Sequence, residues 1–161
     1  MPKPARRYWL FKSEPDVYGW PHFEADGRTQ WTGVRNYQAR NLMRDDMQVG
    51  DLVLYYHSNS DPTAVVGVAR VAKAASPDPT QFDRKSPYFD EKATEAAPRW
   101  FGVEIVPVCP MRQPVDRDAL KAEASLASMM VLQRGARLSV QPVDEAHFRR
   151  VCAMGGAKGE W

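Results

Sequence analysis

The chain has 161 residues, of which 43% are hydrophobic, and its formal net charge is +2. This length and composition predict one soluble globular domain, residues 1–161, with enough chain for a substantial core. A membrane helix is excluded because no stretch approaches the roughly 20 apolar residues that it needs. The near-neutral charge by itself identifies no partner.

The cysteines and the start of the chain bear on the cellular compartment. Cys109 and Cys152 lie far apart without CxxC spacing, and residues 1–7 lack the apolar run of a signal peptide. Such a pattern is typical of reduced cytosolic thiols rather than of a disulfide framework. We therefore expect a cytoplasmic protein that contacts no membrane. A monomer is the working expectation, with the oligomeric state left open.

The first half of the chain alternates apolar runs with turn residues. Residues 8–11 form an apolar run, and residues 8–13 predict a first strand, ended by Pro15. Asn36 is a suitable N-cap for a helix that follows it. Two further strands are predicted at residues 52–58 and 64–74.

The second half is predicted to contain one long irregular segment and a final strand. Residues 75–98 hold four prolines, and a loop of this length is typically functional or disordered. A strand at residues 99–108 is expected to stop at Pro107 and Pro110. Residues 134–140 predict a turn into a last strand.

Two helices and a bulge complete the predicted elements. Asp116 and Asp144 each precede a helical pattern and are expected to serve as N-caps. Gly67 interrupts an apolar strand and indicates a bulge or a close backbone approach. Five or six strands and about three helices favour an α+β fold, a small, mostly antiparallel β-barrel with helices packed outside.

Two segments bring polar groups to the ends of predicted elements. Lys12, Ser13 and Glu14 close the first strand, and residues 31–36 carry Trp31 into the helix after Asn36. Tryptophan is usually a core residue, but polar or small neighbours of Trp31 favour a partly exposed ring. Together the segments predict a slot for a flat, polar molecule, for which a nucleobase is the obvious candidate.

Familiar catalytic and metal motifs do not occur in the sequence. The three histidines have no partner at metal-ligand spacing, so neither a metal nor a cofactor is expected. Lys12 and Ser13 invite a catalytic interpretation, but adjacent strand residues point to opposite faces. His57 ends a strand and is either a structural residue or part of a pocket. We therefore predict no catalytic residues.

Arg35 and Asn36 suggest an anion site beside the slot. An arginine next to backbone N–H groups at a helix start is a ready phosphate ligand. A phosphate there and a base on Trp31 are compatible with a single nucleotide.

Four segments of the chain carry a recognisable pattern: residues 8–15 (YWLFKSEP), 31–39 (WTGVRNYQA), 55–58 (YYHS) and 137–143 (RLSVQPV). In the same order along the chain, these segments resemble the signatures of one known family, the EVE domains. The resemblance implies a PUA-like fold, a small β-barrel flanked by helices.

EVE domains are also similar to YTH domains, which hold methylated adenine between tryptophans. The resemblance implies that Trp31 is one wall of a base pocket and that Tyr88, Phe89 or Trp100 supplies the second. Glu14 stands where YTH domains carry an amide, so adenine specificity does not transfer. The implied base pocket contains Lys12, Ser13, Glu14, Trp31, Thr32, Gly33, Val34, His57, Ser58, Tyr88 and Trp100, and the implied phosphate contacts are Arg35, Asn36, Arg134 and Arg137.

The resemblance implies a non-enzymatic module that reads a modified base in a nucleic acid, with DNA favoured over RNA. EVE domains are thought to bind modified cytosines, which requires a flipped or single-stranded base. Glu14 is suited to accept a hydrogen bond from the cytosine N4 amino group. Two alternatives stay open: an amidohydrolase of the related ASCH group acting on a modified nucleoside, and a small-ligand or protein-interaction module.

Overall fold

The computed structural model describes residues 5–135, 137–159 and 161. Within these residues six strands form one mixed sheet in the order β2-β5-β4-β3-β1-β6. The sheet is open, with β2 and β6 at its edges, where a small, mostly antiparallel barrel was expected. The strands are β1 (Tyr8–Ser13), β2 (Thr29–Gln30), β3 (Leu52–His57), β4 (Ala64–Pro77), β5 (Phe101–Asp116) and β6 (Val140–Val143).

Short helices flank this sheet, so the α+β class is confirmed. Two helices precede β2, and Pro15 is well suited to the first helical position of the first of them. None of the described helices is long and apolar enough to cross a membrane. The α-helices are α1 (Pro15–Tyr18), α2 (Trp20–Asp26), α3 (Tyr37–Asn41), α4 (Arg117–Ala122) and α5 (Glu145–Gly155). A π-helix at Leu42–Asp46 and 3-10 helices at Pro79–Phe82, Ala124–Leu126 and Met130–Leu132 complete the described helical elements.

The predicted N-caps have different outcomes. Asn36 caps α3, because its side chain accepts a hydrogen bond from the backbone N–H of Ala39 at 3.0 Å. Asp116 caps α4 through the N–H of Ala119 at 2.7 Å. Asp144 precedes α5 without a side-chain cap, and its carboxylate lies 3.8 Å from the ring of His147.

The first strand lies inside the sheet and is buried on both faces. It pairs in parallel with β3 and antiparallel with β6, whereas the other strand pairs are antiparallel. Tyr8 and Leu10 face one apolar core, and Trp9 and Phe11 face the other. A strand covered on both faces needs continuous apolar character, which explains the unbroken apolar run.

The fifth strand continues through both prolines that were expected to stop it. Pro107 pairs with Ala69 and Pro110 with Gly67, at places where the β4–β5 register shifts. Bulges remove the need for a regular ladder N–H, so proline is tolerated there. The predicted bulge at Gly67 is confirmed, and a Cβ at that position would meet the ring of Trp20 at 2.6 Å.

A buried amide holds the irregular segment against the sheet. The Gln81 side chain is fully buried and donates to the carbonyls of Asp78 and Trp100, both at 2.8 Å. Its oxygen accepts from the N–H groups of Arg99 and Trp100. Because every hydrogen-bonding site of this amide has a partner, the segment has a defined position beside β2.

Candidate functional site

A cavity of about 490 Å³ opens at the end of β1. It lies where the end of β1 meets the loop after β2, so both sequence segments singled out above reach it. The lining residues are Lys12, Ser13, Glu14, Val17, Tyr18, Thr29, Gln30, Trp31, Thr32, Gly33, Val34, Arg35, Tyr88 and Ser139.

Hydrogen bonds to one carbonyl fix the inner end of the cavity. The Ser13 hydroxyl donates to the Tyr18 carbonyl at 2.6 Å, and the Tyr55 hydroxyl donates to the same oxygen at 2.7 Å. The Tyr18 hydroxyl donates to Asp26 at 2.7 Å. Burial and this carboxylate raise the pKa of Tyr18 to about 12, so the Tyr18 hydroxyl keeps its proton at neutral pH.

Lys12 brings a positive charge to the cavity. Its side chain is partly buried, and burial lowers the pKa of the ammonium group, with a further contribution from the nearby charge of Arg117. Although Lys12 and Ser13 are neighbours on a strand, both reach the cavity because it lies at the strand end. The ammonium group is a donor with three N–H bonds.

Trp31 is both a core residue and a wall of the cavity. Its side chain is only 8% exposed and contacts Phe11 and Tyr55, with ring centroids 5.2 and 5.6 Å away. The backbone passes very close to β5, where a Cβ on Gly102 would lie 1.9 Å from the Trp31 carbonyl oxygen. The ring is therefore rigidly placed, and the exposed face is narrower than the sequence predicted.

Asp78 organises the loop that follows Trp31. Its carboxylate is 1% exposed and accepts from the Gly33 N–H at 2.8 Å, from Arg35 at 3.0 Å and from Thr80. Burial alone would raise the pKa of Asp78, but these hydrogen bonds together lower it. Asp78 therefore stays ionised and joins the loop after β2 to the irregular segment. Reasoning from the sequence missed this residue; the only local signal was an Asp-Pro pair, which favours a turn.

The hydrogen-bond donors of the Arg35 guanidinium are used largely within the protein. Beyond Asp78, its guanidinium donates to the carbonyl of Tyr88 at 2.7 Å and to the Thr80 hydroxyl at 3.0 Å. It lies 5.5 Å from the centroid of the Tyr88 ring. Arg35 thus supports the segment that carries Tyr88, and its contact with phosphate stays a prediction.

The Tyr88 ring closes the cavity on the side of the irregular segment. It is 39% exposed, and it lies so near Gly33 that a Cβ there would meet the ring at 2.9 Å. Gly33 has a φ of +83°, a conformation that favours glycine. Glycine at this position therefore allows both the turn and the approach of Tyr88.

Glu14 lies at the rim and has an unexpected partner. Its carboxylate accepts a hydrogen bond from the Asn59 side chain at 2.7 Å. Asn59 follows β3 with a φ of +49°, a left-handed conformation that asparagine tolerates. Sequence reasoning also missed five lining residues, because their positions depend on tertiary contacts: Val17, Tyr18, Thr29, Gln30 and Ser139.

Several residues of the predicted pocket lie outside the cavity lining. Trp100 is buried behind Arg35, and Asn36 is occupied as the cap of α3. Arg134 and Arg137 are exposed side chains of the turn before β6. Of the residues predicted for the base pocket, His57, Ser58 and Trp100 do not line the cavity. Of the predicted phosphate contacts, Asn36, Arg134 and Arg137 do not line it either.

His57 accepts a hydrogen bond that requires its neutral form. Its Nε2 accepts from the backbone N–H of Trp20 at 3.0 Å, and burial lowers its pKa from the ordinary 6.5. Below about pH 6.5 the unfolded chain therefore binds more protons than the folded one, and stability falls as the pH falls. The stabilisation is fully present above that pH.

The loss of stability in mild acid is therefore expected to depend on His57. Thermal unfolding at roughly pH 7.5 and 5.5 should show a larger drop in melting temperature for the wild type than for His57→Gln, whose side chain does not titrate in this range. An equal drop in both proteins would contradict this role for His57.

Comparison with known proteins identifies the family. Residues 7–154 match the EVE domain. Thymocyte nuclear protein 1 of Rattus norvegicus is 33% identical, over 94% of this chain and 75% of the rat protein. A hypothetical protein from Leishmania major has a structure with a TM-score of 0.90 at 38% identity, covering 94% of this chain and 96% of that one.

Another similar structure contains DNA. The human THYN1 protein in complex with 5-methylcytosine-containing DNA has a TM-score of 0.85 at 31% identity, covering 95% of this chain and 99% of that one. A mutant ASCH protein from Zymomonas mobilis, with a TM-score of 0.51 at 10% identity, shares the fold alone. The structures of 38% and 31% identity share the expected PUA-like fold. Within that fold class, the chain belongs to the EVE domain family.

Proposed function

We propose that the cavity at the end of β1 binds a flipped or single-stranded base of DNA, and that this base is a modified cytosine. The observation that carries the proposal is that two aromatic side chains, Trp31 and Tyr88, and the charged side chains of Lys12 and Glu14 line one cavity of about 490 Å³. The similarity to the human protein in complex with 5-methylcytosine-containing DNA supports it.

The aromatic residues provide the stacking surface. Trp31 is fixed by the core, and Tyr88 is held through the bonds of Arg35 to its carbonyl. Stacking of a base on an aromatic side chain contributes about 1–3 kcal/mol. Tyr88, rather than the buried Trp100, is the second wall in this proposal because its ring lines the cavity.

The polar groups complement the edge of cytosine. Cytosine presents an amino donor at N4 and acceptors at N3 and O2. The Glu14 carboxylate accepts from the amino group, while the Lys12 ammonium donates to a ring acceptor. Thymine carries an acceptor in place of the amino group, so this pairing rejects it.

Apolar side chains provide the contact for a methyl group on the base. Val34 is largely buried and Val17 is exposed, and both line the cavity. Burial of a methyl-sized group contributes about 0.8 kcal/mol, which corresponds to a preference of roughly fourfold. We therefore expect moderate selectivity for 5-methylcytosine over cytosine.

An amidohydrolase is supported less well by the same geometry. A nucleophilic serine needs a base that takes its proton. The Ser13 hydroxyl instead donates to the Tyr18 carbonyl at 2.6 Å. This hydrogen bond gives Ser13 a structural role in the wall of the cavity.

The proposal predicts that the Tyr88 ring is needed for binding. Titration of a short single-stranded DNA with one central 5-methylcytosine should show about five- to 100-fold weaker binding by Tyr88→Ala than by the wild type. Phe89→Ala is the matched control, because Phe89 is 37% exposed on the same segment and does not line the cavity. It should bind as the wild type does.

The comparison of bases completes this test. The wild type should prefer 5-methylcytosine over cytosine in the same strand by roughly fourfold. Equal affinity for both strands, unchanged by Tyr88→Ala, would refute the proposed function.

A further inference from the structure

Tyr37, outside the cavity, presents a half-exposed aromatic ring. It is the first residue of α3, its side chain is 51% exposed, and its ring stacks on that of Trp100 at 4.8 Å with an interplanar angle of 21°. An exposed ring backed by another ring is a typical stacking surface for a nucleobase.

The ring behind Tyr37 is firmly held. Trp100 is 6% exposed, and its indole N–H donates to the Asp90 carboxylate at 2.8 Å. Its backbone N–H is bound by the buried Gln81 amide. Tyr37 therefore rests on a fixed support, so a base stacking on it would not have to order that support.

Tyr37 stays half-exposed although both Trp100 and Arg40 contact its ring. The Arg40 guanidinium lies 4.7 Å from the Tyr37 centroid and 6.0 Å from the Trp100 ring. If Arg40 covered the face opposite Trp100, its distance to Trp100 would approach the sum of the other two separations. The distance of 6.0 Å is much shorter than that sum, so Arg40 lies beside the stacked pair of rings. This position agrees with the exposure of the Tyr37 ring.

A continuous stack links Tyr37 to the cavity. The Arg35 guanidinium lies 5.5 Å from the Tyr88 ring and 5.2 Å from the Trp100 ring, so it bridges them. From the cavity outward, the order is Tyr88, Arg35, Trp100 and Tyr37, with Arg40 beside the last two. Alternating cations and rings are suited to a single nucleic-acid strand, whose bases stack while its phosphates meet positive charge.

We propose that Tyr37 stacks the base of a nucleotide flanking the one held in the cavity, with Arg40 near the phosphate between them. The proposal rests on the proposed function, since it assumes that the cavity takes a base of the same strand. It adds a second subsite and makes single-stranded DNA longer than one nucleotide the preferred ligand.

The test compares two ligands and two variants. The ligands are 5-methyl-deoxycytidine monophosphate and a short single-stranded DNA with a central 5-methylcytosine. Tyr37→Ala should weaken binding of the strand at least about fivefold and leave binding of the mononucleotide unchanged. Tyr37→Phe keeps the ring and should bind both ligands as the wild type does.

A strand with abasic positions on both sides of the 5-methylcytosine locates the effect. It should bind the wild type as weakly as the intact strand binds Tyr37→Ala, with no further loss in that variant.

Equal binding of the intact strand by the wild type and Tyr37→Ala would overturn this inference, and selective mononucleotide binding would then leave the proposed function in place. Loss of mononucleotide binding in Tyr37→Ala would also overturn it, because the ring would then act through the cavity. A wild type that binds strands through Tyr37 without preference for the modified base would refute the proposed function alone.

Discussion

Asp78→Ala is expected to lower the free energy of unfolding by about 3 kcal/mol or more. The carboxylate is 1% exposed and forms an ion pair of 3.0 Å with Arg35, whose side chain is 22% exposed. Removing one partner of such a pair leaves the other charge poorly compensated. The N–H groups of Gly33 and Thr80 also lose their acceptor, which adds a desolvation cost.

Urea denaturation measures this effect directly. Asp83→Ala is the matched control, because Asp83 is an exposed carboxylate of the same segment that accepts one backbone hydrogen bond, from Lys85. It should change the free energy of unfolding by about 0.5 kcal/mol or less. If the two variants lost the same small amount, Asp78 would not organise the site.

Gly102→Ala is expected to destabilise the protein by about 3 kcal/mol or more and to abolish base binding. Its Cβ would lie 1.9 Å from the Trp31 carbonyl oxygen and 2.9 Å from the carbonyl carbon. The obstacle is backbone, which no side-chain rotation relieves. The N–H of Trp31 donates to the Val103 carbonyl at 2.8 Å, so moving the backbone at Trp31 also breaks this contact between β2 and β5.

Thermal unfolding and base titration of the same sample test this prediction. Val108→Ala is the control on the same strand, since Val108 is 37% exposed; a loss of about 0.5 kcal/mol is expected for it. A Gly102→Ala protein with wild-type stability and wild-type affinity would show that the approach of Trp31 to β5 is not required for the site.

The fold could be predicted from the sequence where local pattern decides. The apolar run of β1 and the N-caps Asn36 and Asp116 are local signals, and each proved correct. The parallel pairing of β1 with β3 was not predictable, because it joins Tyr8 to Leu52 although β2 and three α-helices lie between them in the sequence. The open edges of the sheet were not predictable for the same reason, since edge pairing depends on the whole chain.

The residues of the cavity also divide into those that a local sequence pattern predicts and those that depend on long-range contacts. Lys12 to Glu14 and Trp31 to Arg35 were singled out because polar and aromatic residues end elements there, and the structure places both segments in one cavity. Tyr88, rather than Trp100, lines the cavity because Arg35 binds the Tyr88 carbonyl and is itself bound by Asp78. Arg35 and Asp78 are 43 residues apart in the sequence. Such long-range hydrogen bonds leave no periodic signal in the sequence. The roles of these residues in binding stay predictions.

Nuclear Overhauser contacts with a methylated nucleotide test the central claim most directly. In a complex with 5-methyl-deoxycytidine monophosphate, the base protons should show contacts to the ring protons of both Trp31 and Tyr88. Contacts to neither ring would contradict the account. So would contacts confined to the separate cavity of about 150 Å³ that includes Met129 and His147.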